Sequence, residues 1–203
     1  TNNLITIKDN IIQNNTGPGI YVAGLRGSFI SQNHFSGNSS NAIDLSNNGV
    51  SLNTNACNNT SGASSPNGGL ARPTINTASF ISGTLTVTGT MCATGSFNIE
   101  LYKSTSGTGD TSATDGLSAG EGSVYLGTLS NRSGGTFSGS ITTSDLAATD
   151  QITAIAIRTT AGLGTIGDTS EFAANIFLGN VSGVVFQDTN ANLLASETVG
   201  DSN

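Results

Sequence analysis

Residues 5–25 read ITIKDNIIQNNTGPGIYVAGL, and residues 28–48 read SFISQNHFSGNSSNAIDLSNN. Each period predicts three short strands separated by Asn-rich and Gly-rich turns, and hence one coil of a solenoid in which equivalent side chains stack. The repeated Asn side chains are predicted to form amide ladders at the turns. With an offset of 23 residues, six positions match in chemical type: Ile7 with Ile30, Asn10 with Asn33, Ile12 with Phe35, Asn15 with Asn38, Ile20 with Ile43, and Val22 with Leu45.

The composition predicts an all-β chain. Thr favours strands, while the abundant Gly, Asn and Ser favour turns. Charged residues make up only 9% of the 203, and the net charge is −7. The six basic residues are spread singly, so no basic patch favours nucleic acid. No apolar run approaches the ~20 residues of a membrane span. Disorder is the alternative for this composition, but regular apolar alternation argues against it.

The matched residues of the two periods resemble the right-handed parallel β-helix, the pectate-lyase-like repeat fold of many secreted bacterial proteins. The resemblance covers residues 1–55 and implies the C-terminal coils of such a helix, followed by a linker at residues 56–73 that caps it. Two coils are fewer than a solenoid needs to be stable alone. We therefore expect the first coil to expose apolar side chains and strand edges, which further coils or another chain would cover.

Residues 74–178 alternate apolar and polar side chains in several short segments, which predicts a β-sandwich with one core between two sheets. Lys103 shares the parity of the core positions and could form an isopeptide bond there, although a strand-end lysine that reaches water is favoured. The Gly-, Ser- and Thr-rich stretch 105–119 predicts a long exposed loop. The residues predicted to face the core include Phe97, Ile99, Leu101, Ile155, Ile157 and Phe172.

Three motifs mark this part of the chain: GEGSVYLG at residues 120–127, ITAIA at 152–156, and GDTSEF at 167–172. In order and spacing they resemble an immunoglobulin-like module of large bacterial surface proteins, which often follows β-helix repeats directly. That family usually has Asn at the position of Asp168. The resemblance implies an immunoglobulin-like β-sandwich over residues 74–178 and carries no enzymatic role.

Residues 181–192, VSGVVFQDTNAN, resemble the opening strand of a serine-aspartate-repeat B-type domain of bacterial surface stalks. Residues 179–203 therefore predict the first strand of a further β domain, or a tail strand exchanged with another molecule. The resemblance also implies a calcium site formed by Asp188, Asn190 and Asn192, whose oxygens alternate as calcium ligands do. The Gly and acidic residues that should follow are replaced, so a strand and turn without metal is the favoured interpretation. No other cofactor is predicted.

Two cysteines, Cys57 and Cys92, favour one disulfide in an exported protein. That bond would tie the linker to the second domain. Two reduced, buried thiols in a cytosolic protein are the alternative. A two-cysteine metal site has no His nearby to support it.

The coils contain few side chains that could catalyse a reaction. Lys8, Asp9, Arg26 and Asp44 do not place two carboxylates on adjacent coils, so we expect four solvated charges rather than a catalytic face. His34 is the single histidine, and its strand parity predicts an exposed side chain.

The sequence therefore predicts a structural or adhesive segment of an exported bacterial surface protein, located outside the cell or on its surface, and not an enzyme. Its expected partners are identical subunits stacked head to tail into a fibre, or neighbouring domains of a longer chain, or carbohydrate or solid surfaces. The alternatives are the non-catalytic C-terminal part of a polysaccharide-degrading β-helix enzyme and a glycan-binding module. Clustered carboxylates on adjacent coils would favour the first alternative, and exposed aromatic side chains would favour the second.

Overall fold

The computed structural model describes residues 5–24, 26–46, 49–50, 65–104, 110–111, 118–160 and 165–179. The chain is all-β, as the composition predicts, apart from one 3₁₀ turn at Pro66–Gly69 in these ranges. No helix in the described ranges has the length and apolar character to cross a membrane. In chain order the strands are β1 (Ile5–Lys8), β2 (Ile11–Gln13), β3 (Ile20–Val22), β4 (Ser28–Ser31), β5 (His34–Ser36), β6 (Ile43–Leu45), β7 (Thr74–Ile81), β8 (Thr84–Ser104), β9 (Asp110–Thr111), β10 (Ser118–Ala119), β11 (Val124–Thr142), β12 (Gln151–Arg158) and β13 (Ile176–Phe177).

The first six strands form two stacked rungs. The first rung consists of β1, β2 and β3, and each pairs in parallel with its counterpart β4, β5 or β6 in the second rung. The register predicted from the repeat is confirmed, because the paired residues include Ile7 with Ile30, Ile12 with Phe35, Ile20 with Ile43, and Val22 with Leu45.

Asparagine side chains connect the rungs at two turns, so the predicted amide ladders are confirmed. Asn33 Oδ1 accepts hydrogen bonds from the backbone N–H and from Nδ2 of Asn10, both at 3.0 Å. Asn38 Oδ1 does the same for Asn15, at 3.3 and 2.7 Å. Each ladder residue therefore supplies an acceptor for a first-rung N–H that has no strand partner at the turn.

The long strands form one curled sheet in the order β11-β8-β12-β13, with β7 paired to the first half of β8. The second half of β8 pairs with β12. The single long strand β8 therefore connects the part of the sheet that contains β7 with the part that contains β12. The β8–β11 register shifts at several points, including between Leu129 and Arg132, and such bulges bend a strand. The curled sheet encloses an apolar core that includes Leu85, Val87, Phe97, Ile99, Leu101, Ile152, Ala154 and Ala156.

The part of the sheet formed by β8 and β12 is buried on both faces. Every residue of β12 is buried, and its two faces belong to different cores. Ile155, Ile157 and Phe172 face the rungs and not the enclosed core, so their predicted placement is wrong. Alternation identifies which residues share a face, but it cannot tell two buried faces apart. The second core joins rungs and sheet through Ile20, Val22, Ile30, Phe35, Ala42, Ile43, Leu45, Tyr102, Ile155, Ile157 and Phe172.

The stretch 105–119 is not simply the exposed loop that its composition predicts. Its described residues include β9 and β10, which pair antiparallel. Ala119 is buried and forms an isolated bridge with Ala174, so the end of this stretch belongs to the packed structure.

The outer face of β7, β8 and the second half of β11 carries rows of hydroxyl side chains. The register places Thr88 between Thr77 and Ser138. Hydroxyls bond across the strands, with Thr77 Oγ1 2.7 Å from Thr88 Oγ1. Two further rows, Thr74 with Thr90 and Thr136, and Ser79 with Thr86 and Ser140, complete this hydroxyl face.

Candidate functional site at the junction of rung and sheet

The second rung poses a hydrogen-bonding problem that the curled sheet solves. Backbone N–H groups of the first rung donate to the second rung, as Asp9 does to the carbonyl of Ser31 at 3.3 Å. The equivalent groups of the second rung point towards the sheet, and a buried N–H group needs an acceptor. Strand β8, the segments at residues 120–123 and 165–173 that adjoin the strands of the sheet, and the 3₁₀ turn supply acceptors to seven of them, at Gly27, Ser28, Ile30, Gln32, Phe35, Asn38 and Leu45.

Asp168 and Asn67 close the start of the second rung. Asp168 Oδ1 accepts from the N–H of Gly27 at 2.7 Å, while its Oδ2 accepts from the N–H of Thr165 at 2.7 Å. Asn67 Oδ1 accepts from the N–H of Ser28 at 2.9 Å, and its Nδ2 donates to the Ser28 carbonyl at 3.0 Å. Both side chains are fully buried, so these contacts replace water completely.

The rest of the GDTSEF motif continues along the same edge. Thr169 Oγ1 accepts from the N–H of Ile30 at 3.0 Å. Glu171 Oε1 accepts from the N–H of Leu45 at 2.9 Å. Between these polar contacts the ring of Phe172 packs edge-on against Phe35, with ring centroids 5.5 Å apart. The motif is therefore a docking element that holds the second rung by alternating polar and apolar contacts.

Glu100 and Tyr102 hold the end of β4 and the turn that follows it. Glu100 accepts from the hydroxyl of Ser31 at 2.6 Å and from the N–H of Gln32 at 3.0 Å. The Tyr102 hydroxyl accepts from the same N–H at 3.0 Å and donates to Glu100 at 2.5 Å. Burial, and then the neighbouring Glu100 carboxylate, raise the pKa of Tyr102 far above its ordinary value. The phenol therefore stays protonated and keeps donating to Glu100.

Glu121 takes the place of a ladder asparagine. Within the rungs, Asn38 Oδ1 accepts from both the N–H and the Nδ2 of Asn15. Glu121 Oε1 accepts from the same two groups of Asn38, at 2.9 and 2.7 Å. The sheet thus presents to the second rung the acceptor that the second rung presents to the first.

The glycines beside Glu121 allow the backbone to approach the rung. The carbonyl of Gly122 accepts from the N–H of Phe35 at 2.9 Å. A Cβ at Gly122 would lie 2.6 Å from the Phe172 ring and 2.9 Å from the Tyr102 ring. Only glycine fits at this position, which explains why the GEGSVYLG motif carries a glycine there.

His34 also belongs to the junction. Its Nδ1 lies 3.0 Å from the carbonyl of Ser123, and its side chain is half-buried. The exposed position predicted for His34 is therefore wrong. Strand parity places the ring outside the rung, as expected, but the sheet covers that side.

Arg158 lies at the edge of the junction as a buried cation. Its guanidinium donates to the carbonyl of Thr94 at 2.8 Å and lies 5.0 Å above the Phe97 ring. Burial lowers the pKa of Arg158, the Asp168 carboxylate opposes that effect, and the nearby Arg26 adds to it. Together with the buried acids Glu100, Glu121, Asp168 and Glu171, it makes the junction a charged but solvent-excluded layer.

The other charges predicted on the coils lie in two kinds of surroundings. Lys8 and Asp9 are exposed and 3.5 Å apart, so the prediction of solvated charges is confirmed for them. For Asp44 it is wrong, because that carboxylate is buried and accepts from the N–H of Gly49 at 3.2 Å. Arg26 is half-buried at the junction, which also departs from the prediction.

The remaining candidate residues are not brought into this site. Lys103 forms an ion pair with Asp150 at 2.9 Å, near the surface as the favoured interpretation expects. Cys92 is half-buried in β8, whereas Cys57 lies outside the described residues, so their pairing stays a prediction. The calcium ligands Asp188, Asn190 and Asn192 also lie outside them. Within the described ranges no three His, Cys, Asp or Glu side chains are grouped to hold a metal.

Sequence reasoning found the motifs of the junction but not their role. The sign it missed is Glu100, an acid between the apolar residues Ile99 and Leu101 in the second half of β8. Such a residue on the opposite parity predicts either solvent or a polar partner on that face. No protein-family model matches the chain, and no curated protein sequence matches it either.

Proposed function

We propose that the chain is a structural and adhesive segment of an exported bacterial surface protein, in which the last coils of a parallel β-helix end on an immunoglobulin-like β-sandwich. The observation that carries the proposal is the junction. Seven backbone N–H groups of the second rung donate to acceptors in β8, in the segments that adjoin the strands of the sheet, and in the 3₁₀ turn, and one apolar core spans both parts. The joint is therefore built to resist bending.

The free energy needed to separate the rungs from the sheet suits a segment that is under mechanical tension. An N–H group left buried without an acceptor costs about 1–3 kcal/mol. Pulling the rungs away from the sheet would open several such bonds and expose the shared core together. Rungs and sheet should accordingly unfold as one cooperative unit, as expected of a stiff stalk segment.

The hydroxyl face supports the adhesive part of the proposal. Thr86, Thr88, Ser138 and Ser140 are exposed and form a charge-free array on the neighbouring strands β8 and β11. Hydroxyl groups both donate and accept hydrogen bonds, which suits contact with a polysaccharide or another hydroxyl-rich surface.

The enzymatic alternative receives no comparable support. The buried carboxylates Glu100, Glu121, Asp168 and Glu171 each accept a hydrogen bond from the second rung, so their geometry is explained by docking. A small cavity beside Ala42 and Phe172 has a volume of about 10 Å³, which holds roughly one water molecule, whereas ordinary ligand pockets measure roughly 300–1,000 Å³.

Cell fractionation of the source bacterium, followed with an antibody against the recombinant chain, tests the proposal. We expect the antigen on intact cells or in the medium, and rod-like particles in electron micrographs of that material. Antigen confined to the cytoplasm would contradict the proposed location. For the adhesive part, binding to insoluble polysaccharides should fall in a Thr86→Lys, Thr88→Lys variant and persist in a Ser144→Lys control, a substitution outside the hydroxyl face. Equal binding by both variants would exclude this face.

A further inference from the structure

The first rung has an open face on the side away from the second rung. Its inward residues Ile7 and Ile12 are half-buried, while their counterparts Ile30 and Phe35 are 0% and 1% exposed. The side chains are of the same type and occupy the same position in the rung. The difference arises because the second rung is covered on both sides, and the described residues cover the first rung on one side only.

Backbone donors of the first rung point towards this open face. In the second rung, the N–H groups of His34 and Ser39 donate back to the carbonyls of Asn10 and Asn15, at 2.8 and 2.9 Å. One period earlier the same positions are occupied by Ile11 and Thr16. Since the two rungs share one backbone path, the N–H groups of Ile11 and Thr16 point away from the second rung. They would reach the carbonyls of a rung stacked on the open face.

The amide ladder is also incomplete at this face. Asn33 extends its Nδ2 back to the first rung and donates to the carbonyl of Ile7 at 2.8 Å. Its counterpart Asn10 instead donates to Lys8, two residues away in the same rung, at 2.8 Å. Asn10 thus uses a local acceptor where Asn33 uses one in the rung before it.

We propose that the open face of the first rung is the docking surface for one further parallel rung of the same 23-residue pattern, reached by a short turn as the second rung is reached from the first. This occupant continues the interface already formed between the two rungs. It alone offers inward aliphatic side chains, backbone acceptors for Ile11 and Thr16, and amides in register with Asn10 and Asn15. A helix would offer the apolar side chains without the acceptors.

A rung joined through the polypeptide is favoured over a free strand. Ordering a separate segment costs roughly 1–2 kcal/mol per residue, whereas a short connection holds it at high effective concentration. The biological meaning of this inference rests on the proposed stalk role, but its test uses only the purified chain and does not depend on that role. Its failure would leave the cell-fractionation result unaffected.

The test is a chain in which a second copy of residues 5–27 precedes residue 5. Amide hydrogen exchange should slow at Ile11 and Thr16 by at least tenfold relative to the original chain, and the thermal midpoint should rise. The matched control carries Ile7→Asp and Ile12→Asp in the added copy only, which removes the stacking surface and leaves length and linkage unchanged. It should show no slowing at Ile11 or Thr16.

Three results would overturn the inference. Exchange at Ile11 and Thr16 could be the same with and without the added rung. The Asp control could protect them as well as the aliphatic rung does. Alternatively, the original chain could protect both amides at high concentration and lose that protection on dilution, with a dimer mass by light scattering. This last result would assign the face to a second copy of the chain.

Discussion

Replacing Glu121 tests whether its carboxylate acts as a substitute ladder amide. Glu121→Leu fills a similar volume but leaves the N–H of Asn38 without its acceptor and removes one of the two acceptors of Asn38 Nδ2, the other being the carbonyl of Ile12. Glu121→Gln keeps an oxygen at the position of Oε1, which is the chemistry that Asn38 itself offers to Asn15. The two variants therefore separate the need for an acceptor from the need for a charge.

The expected magnitudes follow from the two bonds. A hydrogen bond to a charged group contributes about 1.5–3 kcal/mol, and Asn38 is half-buried, so water can replace part of the loss. We expect Glu121→Leu to lower the free energy of unfolding by about 2–4 kcal/mol and Glu121→Gln by about 1 kcal/mol. Asp145→Leu, at an exposed acid in the bend that follows β11, should change it by less than about 0.5 kcal/mol.

Guanidinium chloride unfolding at pH 7, followed by circular dichroism and by tyrosine fluorescence, gives these differences. Amide exchange at Asn38 reports the local effect, which should be fast in Glu121→Leu and nearly unchanged in Glu121→Gln. The reasoning is refuted if Glu121→Leu is as stable as the original chain, or if Glu121→Gln is as damaging as Glu121→Leu. The second outcome would mean that charge and not ladder geometry holds Asn38.

Gly122→Ala should lower the free energy of unfolding by about 1–3 kcal/mol, because the added Cβ would lie 2.6 Å from the ring of Phe172. Gly17→Ala is the control, since a Cβ at that position meets no atom within 4 Å. The raised pKa of Tyr102 predicts that Tyr102→Phe leaves the alkaline rise in absorbance at 295 nm unchanged until the chain unfolds; a smaller rise in the variant would show that the native phenol ionises. Burial, the largest single effect, would raise the pKa of Asp150, but the hydrogen bonds from Lys103 and from the N–H of Ala147, together with the charge of Lys103, outweigh it and lower the pKa from 3.8. The stability lost in Asp150→Asn should thus be constant above pH 3.8 and shrink as the pH falls below it, and a gap that widens in acid would contradict this sign.

The rungs could be predicted from the sequence because their order is local and periodic. Ile7 and Ile30 are one period apart, and a hydrophobic residue repeated at the same position in successive coils reveals both the strand and its partner. The same holds for Asn15 and Asn38, whose amides need each other at a turn. A short stretch of sequence was therefore enough to predict each rung.

The junction could not be predicted, because its contacts join distant residues with no common period. Asp168 meets Gly27 across 141 positions and Glu121 meets Asn38 across 83. The motifs that contain these acids were visible, but nothing in a single sequence states that a buried carboxylate faces a backbone edge. Ile155 was misplaced for a related reason, since β12 is apolar on one face for the enclosed core and on the other for the rungs.

The way in which the sheet holds the second rung has an evolutionary consequence. At Gly27, Ile30, Gln32 and Leu45 the bond is made to a main-chain N–H, which every amino acid except proline possesses. Many substitutions in the second rung would therefore leave the joint intact, provided that they avoid proline, respect the apolar interior and keep Ser31 and Asn38, whose side chains also bond to the sheet side of the joint. Recombination could lengthen, shorten or exchange the array of coils in front of the sheet without redesigning the sheet. The same capping sheet could therefore end coil arrays of different sequence, because it binds mainly the backbone that all of them share.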